Sequence, residues 1–192
     1  MKRTSRLLTA AAFLFLCLSA LSSNQGFGAD VAQHSYIGVG KCKMCHMSKA
    51  KGAQYARWAQ TKHAKAYATL ASEEAKKFAA EKGIDDPQTS EQCLRCHVTG
   101  YNAPPARLTG KYRKEDGVGC ESCHGPGGAY WTMAVMKDRA KSVAAGLVIP
   151  TEETCRQCHN PDSPGYKEFN FQERLAEIAH PNPKKKAAGS GS

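Results

Sequence analysis

Downstream of the first twenty-odd residues this chain has no long apolar run. Aromatic residues make up only 8% of its 192 positions, and histidine occupies just 7 of them. Without a second apolar segment the mature chain is expected to be soluble, with no membrane span. The scarcity of aromatics and a mean hydropathy of −0.52 leave little material for an ordinary hydrophobic interior. No stretch alternates apolar and polar residues convincingly, which argues against strands. No activated nucleophile, carboxylate pair or phosphate-cradling loop stands out, so hydrolytic and phosphoryl chemistry have no carrier.

What the chain does have is cysteine, and eight of its nine cysteines fall into one repeated unit. Cys42-Lys-Met-Cys45-His46, Cys93-Leu-Arg-Cys96-His97, Cys120-Glu-Ser-Cys123-His124 and Cys155-Arg-Gln-Cys158-His159 place two thiols and an imidazole at one fixed spacing. Each pair of cysteines can form thioethers with the vinyl groups of a porphyrin, and the following histidine is placed to ligate its iron. Zinc ribbons or disulfides would use the cysteines but do not require histidine after every second one. With so few histidines, four such placements by chance have a probability on the order of a millionth. The unit therefore encodes four covalent haem c sites, each holding iron.

Met1 to Gly28 is expected to be an export signal: Lys2, Arg3 and Arg6 precede an apolar run from Leu7 to Leu21, and Gly26 and Gly28 offer a cleavage site. The run is too short to span a bilayer comfortably, and Leu16 before Cys17 argues against a lipid anchor. Export agrees with haem attachment outside the bacterial cytoplasm, so the expected location is the periplasm. Residues 29–183 would form one tetrahaem domain, and 184–192 a basic, flexible tail. Roughly forty residues per ring are too few for a separate protein core, so the porphyrins themselves should form most of the interior. From residue 29 onward 24 Lys and Arg face 17 Asp and Glu, a surplus of +7. Eight haem propionates would balance it, so nucleic-acid binding is not expected.

The coarse fold is mainly α with long loops and little or no β. Ala29 to Lys41 reads as an irregular, mobile lead-in. Met47 to Leu70 has a helical composition without proline, Ser72 caps a helix ending near Gly83, and Trp131 to Ala145 reads as a helix closed by Gly146. Thr151 opens the fourth motif. Asn170 and Glu173 form a capping pair for a last helix that Pro181 stops. The loop between His97 and Cys120, with Gly100, Pro104, Pro105 and Gly110, has no room for a long helix and should bring haems two and three close together.

A six-coordinate iron needs a ligand on its far face, and outside the motifs only His34, His63 and His180 remain. Either one haem stays open or a methionine completes the set, Met133 and Met136 being candidates. Closely packed six-coordinate haems have no free site for substrate and exchange only electrons. The leading reading is an electron carrier between a donor and an acceptor redox protein, more carrier than enzyme. The alternatives are reduction of a small nitrogen species such as nitric oxide at an open haem, which the family resemblance described next makes plausible, and a homo-oligomeric wire whose copies are linked by a donated His34.

The chain resembles the tetrahaem cytochrome c-554 family. The likeness lies in Lys41-Cys-Lys-Met-Cys-His46, Trp58 with Thr61-Lys-His-Ala-Lys-Ala66, Gln92-Cys-Leu-Arg-Cys-His-Val-Thr-Gly100, Gly117-Val-Gly-Cys-Glu-Ser-Cys-His-Gly-Pro-Gly127 and the segment Phe171 to His180. The resemblance implies close haem pairs, ligands crossing from distant segments, His63 opposite His124, His180 opposite His159, and a five-coordinate haem on His97. The family's ligand for the first haem is a histidine shortly after Gly-Pro-Gly. This chain has none there, which leaves Met136, Met133 or His34 for His46.

Overall fold

Each Cys-x-x-Cys-His unit winds into a short helix or onto the end of one, because cysteines at i and i+3 and a histidine at i+4 share one helical face. In the computed structural model, which describes residues 33–180, these helices are α1 (Val39–His46), α5 (Glu91–His97), α6 (Cys120–His124) and α9 (Glu152–Arg156), with Cys158 and His159 in the turn beyond α9. The expected signal, tail, Cys17 and Pro181 lie outside the described residues. The other helices are α2 (Gln54–Trp58), α3 (Ala66–Thr69), α4 (Glu73–Glu81), α7 (Met133–Met136), α8 (Arg139–Ala144) and α10 (Phe171–Ile178). None exceeds nine residues, and none among the described residues is long and apolar enough to cross a membrane. The only β-type pairing described is a single bridge between Tyr36 and Leu108.

Where the helix signals are local they hold. Ser72 Oγ accepts the Ala75 N–H at 3.1 Å, and Gly83 leaves α4 at a φ of +71°. Asn170 Oδ1 accepts the Glu173 N–H at 3.3 Å, and the Thr154 hydroxyl accepts the Thr151 N–H at 3.2 Å. The two long helices expected elsewhere are broken. Met47 to Leu70 divides into 3-10 turns at Lys49–Lys51 and His63–Lys65 and the helices α2 and α3. Ala53, which enters α2 at a φ of +49°, marks the first break. Trp131 to Ala145 divides at Asp138, whose carboxylate caps the N-terminus of α8 by accepting the Lys141 N–H at 3.1 Å.

The described part of the lead-in, from residue 33, is held against the rest of the chain. Tyr36 exchanges backbone hydrogen bonds with Arg107 and Thr109, and Ile37, Gly38 and Val39 are buried. At Gly38, with φ +78°, a Cβ would collide with the Lys111 carbonyl, so this crossing requires glycine.

Protein packing alone supplies a thin interior. Leu70, Leu94 and Val98 form its cluster, with Tyr67, Cys93, Tyr101 and Tyr112 against them. Meanwhile Met44, Met47, Trp131, Met133, Val148 and Ile149 remain exposed, all close in sequence to the motifs or to the loop that follows α6. Large apolar side chains standing unburied beside the Cys-x-x-Cys-His motifs fit a chain built around bulky apolar groups.

Candidate haem-binding centres

Two crossings of the chain build paired imidazoles. The His63 and His159 rings lie with centroids 6.0 Å apart at an interplanar angle of 66°, and the His124 and His180 rings 6.0 Å apart at 71°. Two imidazoles bound on opposite sides of one metal ion at about 2.0 Å per bond have centres about 6 Å apart. Each pair therefore fits one iron between its rings. The partners are exchanged relative to the sequence expectation, which set His63 against His124 and His180 against His159.

The backbone at His63 is clamped. The His63 carbonyl accepts the Val118 N–H at 3.0 Å, and Trp58 Nε1 donates to the Val118 carbonyl at 2.8 Å. A Cβ on Gly117, at φ +64°, would sit 2.8 Å from that His63 oxygen, so only glycine lets the two strands of backbone meet. This clamp fixes the backbone of His63 against the residues preceding α6 while its ring meets His159.

The remaining ring nitrogens are oriented for metal. His97 Nδ1 donates to the Ala66 carbonyl at 2.8 Å, His124 Nδ1 to the Val148 carbonyl at 3.1 Å and His180 Nδ1 to the Ile178 carbonyl at 3.0 Å; His46 Nδ1 lies 3.4 Å from Gln54 Oε1. A bond at Nδ1 fixes the tautomer that leaves Nε2 free for a metal. Burial lowers the pKa of His63, His124 and His159, aided at His63 by the charge of His159. Each is thus held toward the neutral form that ligation requires. Phe169 stacks on His159 at 4.7 Å with planes 9° apart and steadies that ring.

The thiols show which motifs meet. The Cys42 and Cys120 sulfurs lie near one another, which brings the first motif to the third, and those of Cys96 and Cys158 bring the second to the fourth. The expected closeness of motifs two and three appears in the polypeptide: the Thr99 hydroxyl accepts the Gly119 N–H at 2.7 Å and lies 2.7 Å from Ser122 Oγ. The thiol contacts themselves are between one and three and between two and four.

Neither His46 nor His97 has a second imidazole stacked opposite it among the described residues. Arg107 holds the His34 carbonyl at 2.7 and 2.9 Å, and the His34 Nδ1 is buried with no hydrogen-bond partner. Met136 is half-buried on α7, its sulfur 3.9 Å from Ser142 Oγ, whereas Met133 is 55% exposed. The segment entering α7 does reach the first motif, since Lys41 Nζ lies 4.5 Å from the Trp131 ring centre. Beside the second motif a cavity of about 380 Å³ is lined by Leu94, Val98, Tyr101, Leu108 and Tyr112, with Arg113, Lys114 and Glu115 at its edge.

Sequence reasoning missed one residue, Glu121. Only 4% exposed, its carboxylate accepts N–H groups from Ile37 at 2.9 Å, Gly38 at 2.8 Å and Gly127 at 2.7 Å. It ties the lead-in and the Gly-Pro-Gly turn to α6. Its one sequence signal is an acid placed between two motif cysteines.

The family model described as cytochrome c554 and c-prime matches residues 41–125. Cytochrome c-554 of Nitrosomonas europaea is 31% identical over 176 residues, which cover 80% of this chain and 68% of that relative. No solved structure matches the chain.

Proposed function

We propose that this chain, which belongs to the cytochrome c-554 family, is a periplasmic tetrahaem carrier that passes electrons between a donor and an acceptor protein. Covalently bound haem c, the family's cofactor, supplies a reversible one-electron change at iron. The observation that carries the reading is the pair of 6.0 Å ring couples, His63 with His159 and His124 with His180. Two imidazoles closing both faces of an iron leave no place for substrate and permit only electron exchange.

In this reading Cys42, Cys45, Cys93, Cys96, Cys120, Cys123, Cys155 and Cys158 anchor four rings, and His46, His97, His124 and His159 are the motif-side ligands. His63 serves the fourth ring and His180 the third. Met136 serves the first. The contacts Cys42–Cys120 and Cys96–Cys158 support two closely spaced pairs of redox centres, joined where α6 and α9 approach.

Intact mass of the exported chain is expected to exceed that of the bare mature chain by four haems; a mass matching the bare or zinc-loaded polypeptide would end the proposal. Replacing His63 with Ala is expected to turn one low-spin ferric haem high-spin, and added imidazole to reverse it. In a Cys155→Ala, Cys158→Ala background the His63 change should be spectroscopically silent. If the high-spin signal persisted there, His63 would serve the third ring instead.

For the first ring, a sulfur-to-iron charge-transfer band is expected in the oxidised protein and should vanish in Met136→Leu. Met ligation also places that haem at a higher potential than its bis-imidazole neighbours. A band unchanged by the substitution would remove Met136 from the ligand set.

A second reading belongs to the ring on His97, opposite which no second imidazole is stacked among the described residues: binding and reduction of a small nitrogen species such as nitric oxide. A shift of a high-spin ferric signal on adding nitric oxide would support it, and four low-spin haems would refute it.

A further inference from the structure

The imidazoles assigned to iron are held in two ways. His97, His124 and His180 each donate Nδ1–H to a backbone carbonyl, at 2.8, 3.1 and 3.0 Å. Among the described residues no protein acceptor meets Nδ1 of His159, and its ring is held by its face instead. Phe169 stacks on it with centroids 4.7 Å and planes 9° apart. Phe169 is in turn met by the Arg156 guanidinium, 5.6 Å from its ring centre, and Arg156 is paired with Glu152 at 2.6 Å.

The stack is compatible with a loaded site. An iron bonds Nε2 within the imidazole plane and its porphyrin stands across that bond, so both faces of the imidazole are left to the protein. A ring without a partner at Nδ1 is free to turn about the metal–nitrogen bond, and a flat neighbour parallel to it takes that rotation away. A ligand plane that stays put while the iron gains or loses an electron is a preorganised first shell, held by its supporting residue.

Phe169 also stands at a junction. It immediately precedes Asn170, the cap of α10, and His180, two residues past that helix, faces His124 at 6.0 Å. An eight-residue helix is about 12 Å long, so one short segment touches His159 at its start and His124 at its end. A seat for α10 and a support for His159 are different roles, and the ring that responds to a substitution tells them apart.

We propose that Phe169 is a positioning residue for the fourth haem: it fixes the plane of His159 against that of His63, 66° away, in place of the backbone acceptor used at His97, His124 and His180. The inference rests on the carrier reading, with His63 and His159 on the fourth ring and His124 and His180 on the third.

The test is EPR of the oxidised, haem-loaded protein, since the anisotropy of a low-spin ferric signal follows the angle between the two axial imidazole planes. The fourth ring's signal is the one that His63→Ala removes, and the third ring's is the one that His180→Ala removes. Phe169→Met keeps an apolar side chain of similar size without a flat face. It is expected to replace the fourth ring's single feature by a broad, shifted one, while the third ring's feature and the content of four haems stay as in the parent. Phe169→Tyr brings back the flat face and is expected to restore the parent signal. Loss of the fourth haem alone from Phe169→Met, with retention in Phe169→Tyr, would support the assignment equally. An unchanged fourth-ring signal in Phe169→Met, or the same change in Phe169→Tyr, would overturn it. So would a high-spin third ring with the fourth unaltered, which would show that Phe169 only seats α10. A haem-free parent, or a His63→Ala variant that loses no low-spin signal, would end the carrier reading or its ligand assignment, and this proposal with it.

Discussion

Cys120→Ser with Cys123→Ser is expected to cost this protein its fold as well as one haem. These two thiols sit where the chain converges: Cys120 meets Cys42 of the first motif, Cys123 approaches Cys155 of the fourth, and His124 faces His180 from the C-terminal segment. Few large side chains are buried by protein alone, so the third ring would have to supply apolar contact to Val148 and to the segment entering α7. Deleting a core element of that size falls in the range above about 4 kcal/mol, which for a chain of this length lowers the melting temperature by roughly 10 °C or more. Circular dichroism and haem content report it: loss of helical signal with fewer than three haems is the expected result. A variant keeping three haems and the parent melting temperature would show that the third site is a passenger on an independent protein core.

Glu121→Leu is expected to be the most damaging single substitution outside the haem ligands and cysteines. It would leave the N–H groups of Ile37, Gly38 and Gly127 buried without an acceptor, at about 1–3 kcal/mol for each unsatisfied group. Glu121→Gln retains an acceptor oxygen and should lose less. The pH dependence gives a second signature. Burial raises the Glu121 pKa despite its three N–H donors, so the folded protein takes up this proton more readily than the unfolded chain. Its contribution to stability is full below the ordinary carboxylate pKa and is lost as pH rises through the raised folded value. Denaturant melts across that window should show the decline in the parent and not in Glu121→Gln. Equal slopes in the two proteins would mean that Glu121 titrates as an ordinary carboxylate.

The reach of sequence reasoning differed from element to element, and the difference follows sequence separation. The caps at Ser72 and Asn170 were legible because donor and acceptor lie three residues apart. The breaks at Ala53 and Asp138 were not, since a helical composition does not reveal where a chain must turn to reach a distant partner. His63 and His180 were recognisable as candidates because so few imidazoles lie outside the motifs. Their partners were not, because 96 positions separate His63 from His159 and its placement depends on the clamp formed by Gly117, Val118 and Trp58. Glu121 was hidden for the same reason, with two of its three donors 84 and 83 positions away.

Sequence alone determined the chemistry: two thiols and an imidazole at one spacing, repeated four times, are a covalent haem code whose meaning is local and survives any fold. Tertiary structure decided which imidazoles face one another and which motifs approach. Those outcomes depend on backbone crossings permitted by Gly38 and Gly117 and gathered by one buried carboxylate. They are long-range packing solutions, for which residue spacing carries no signal.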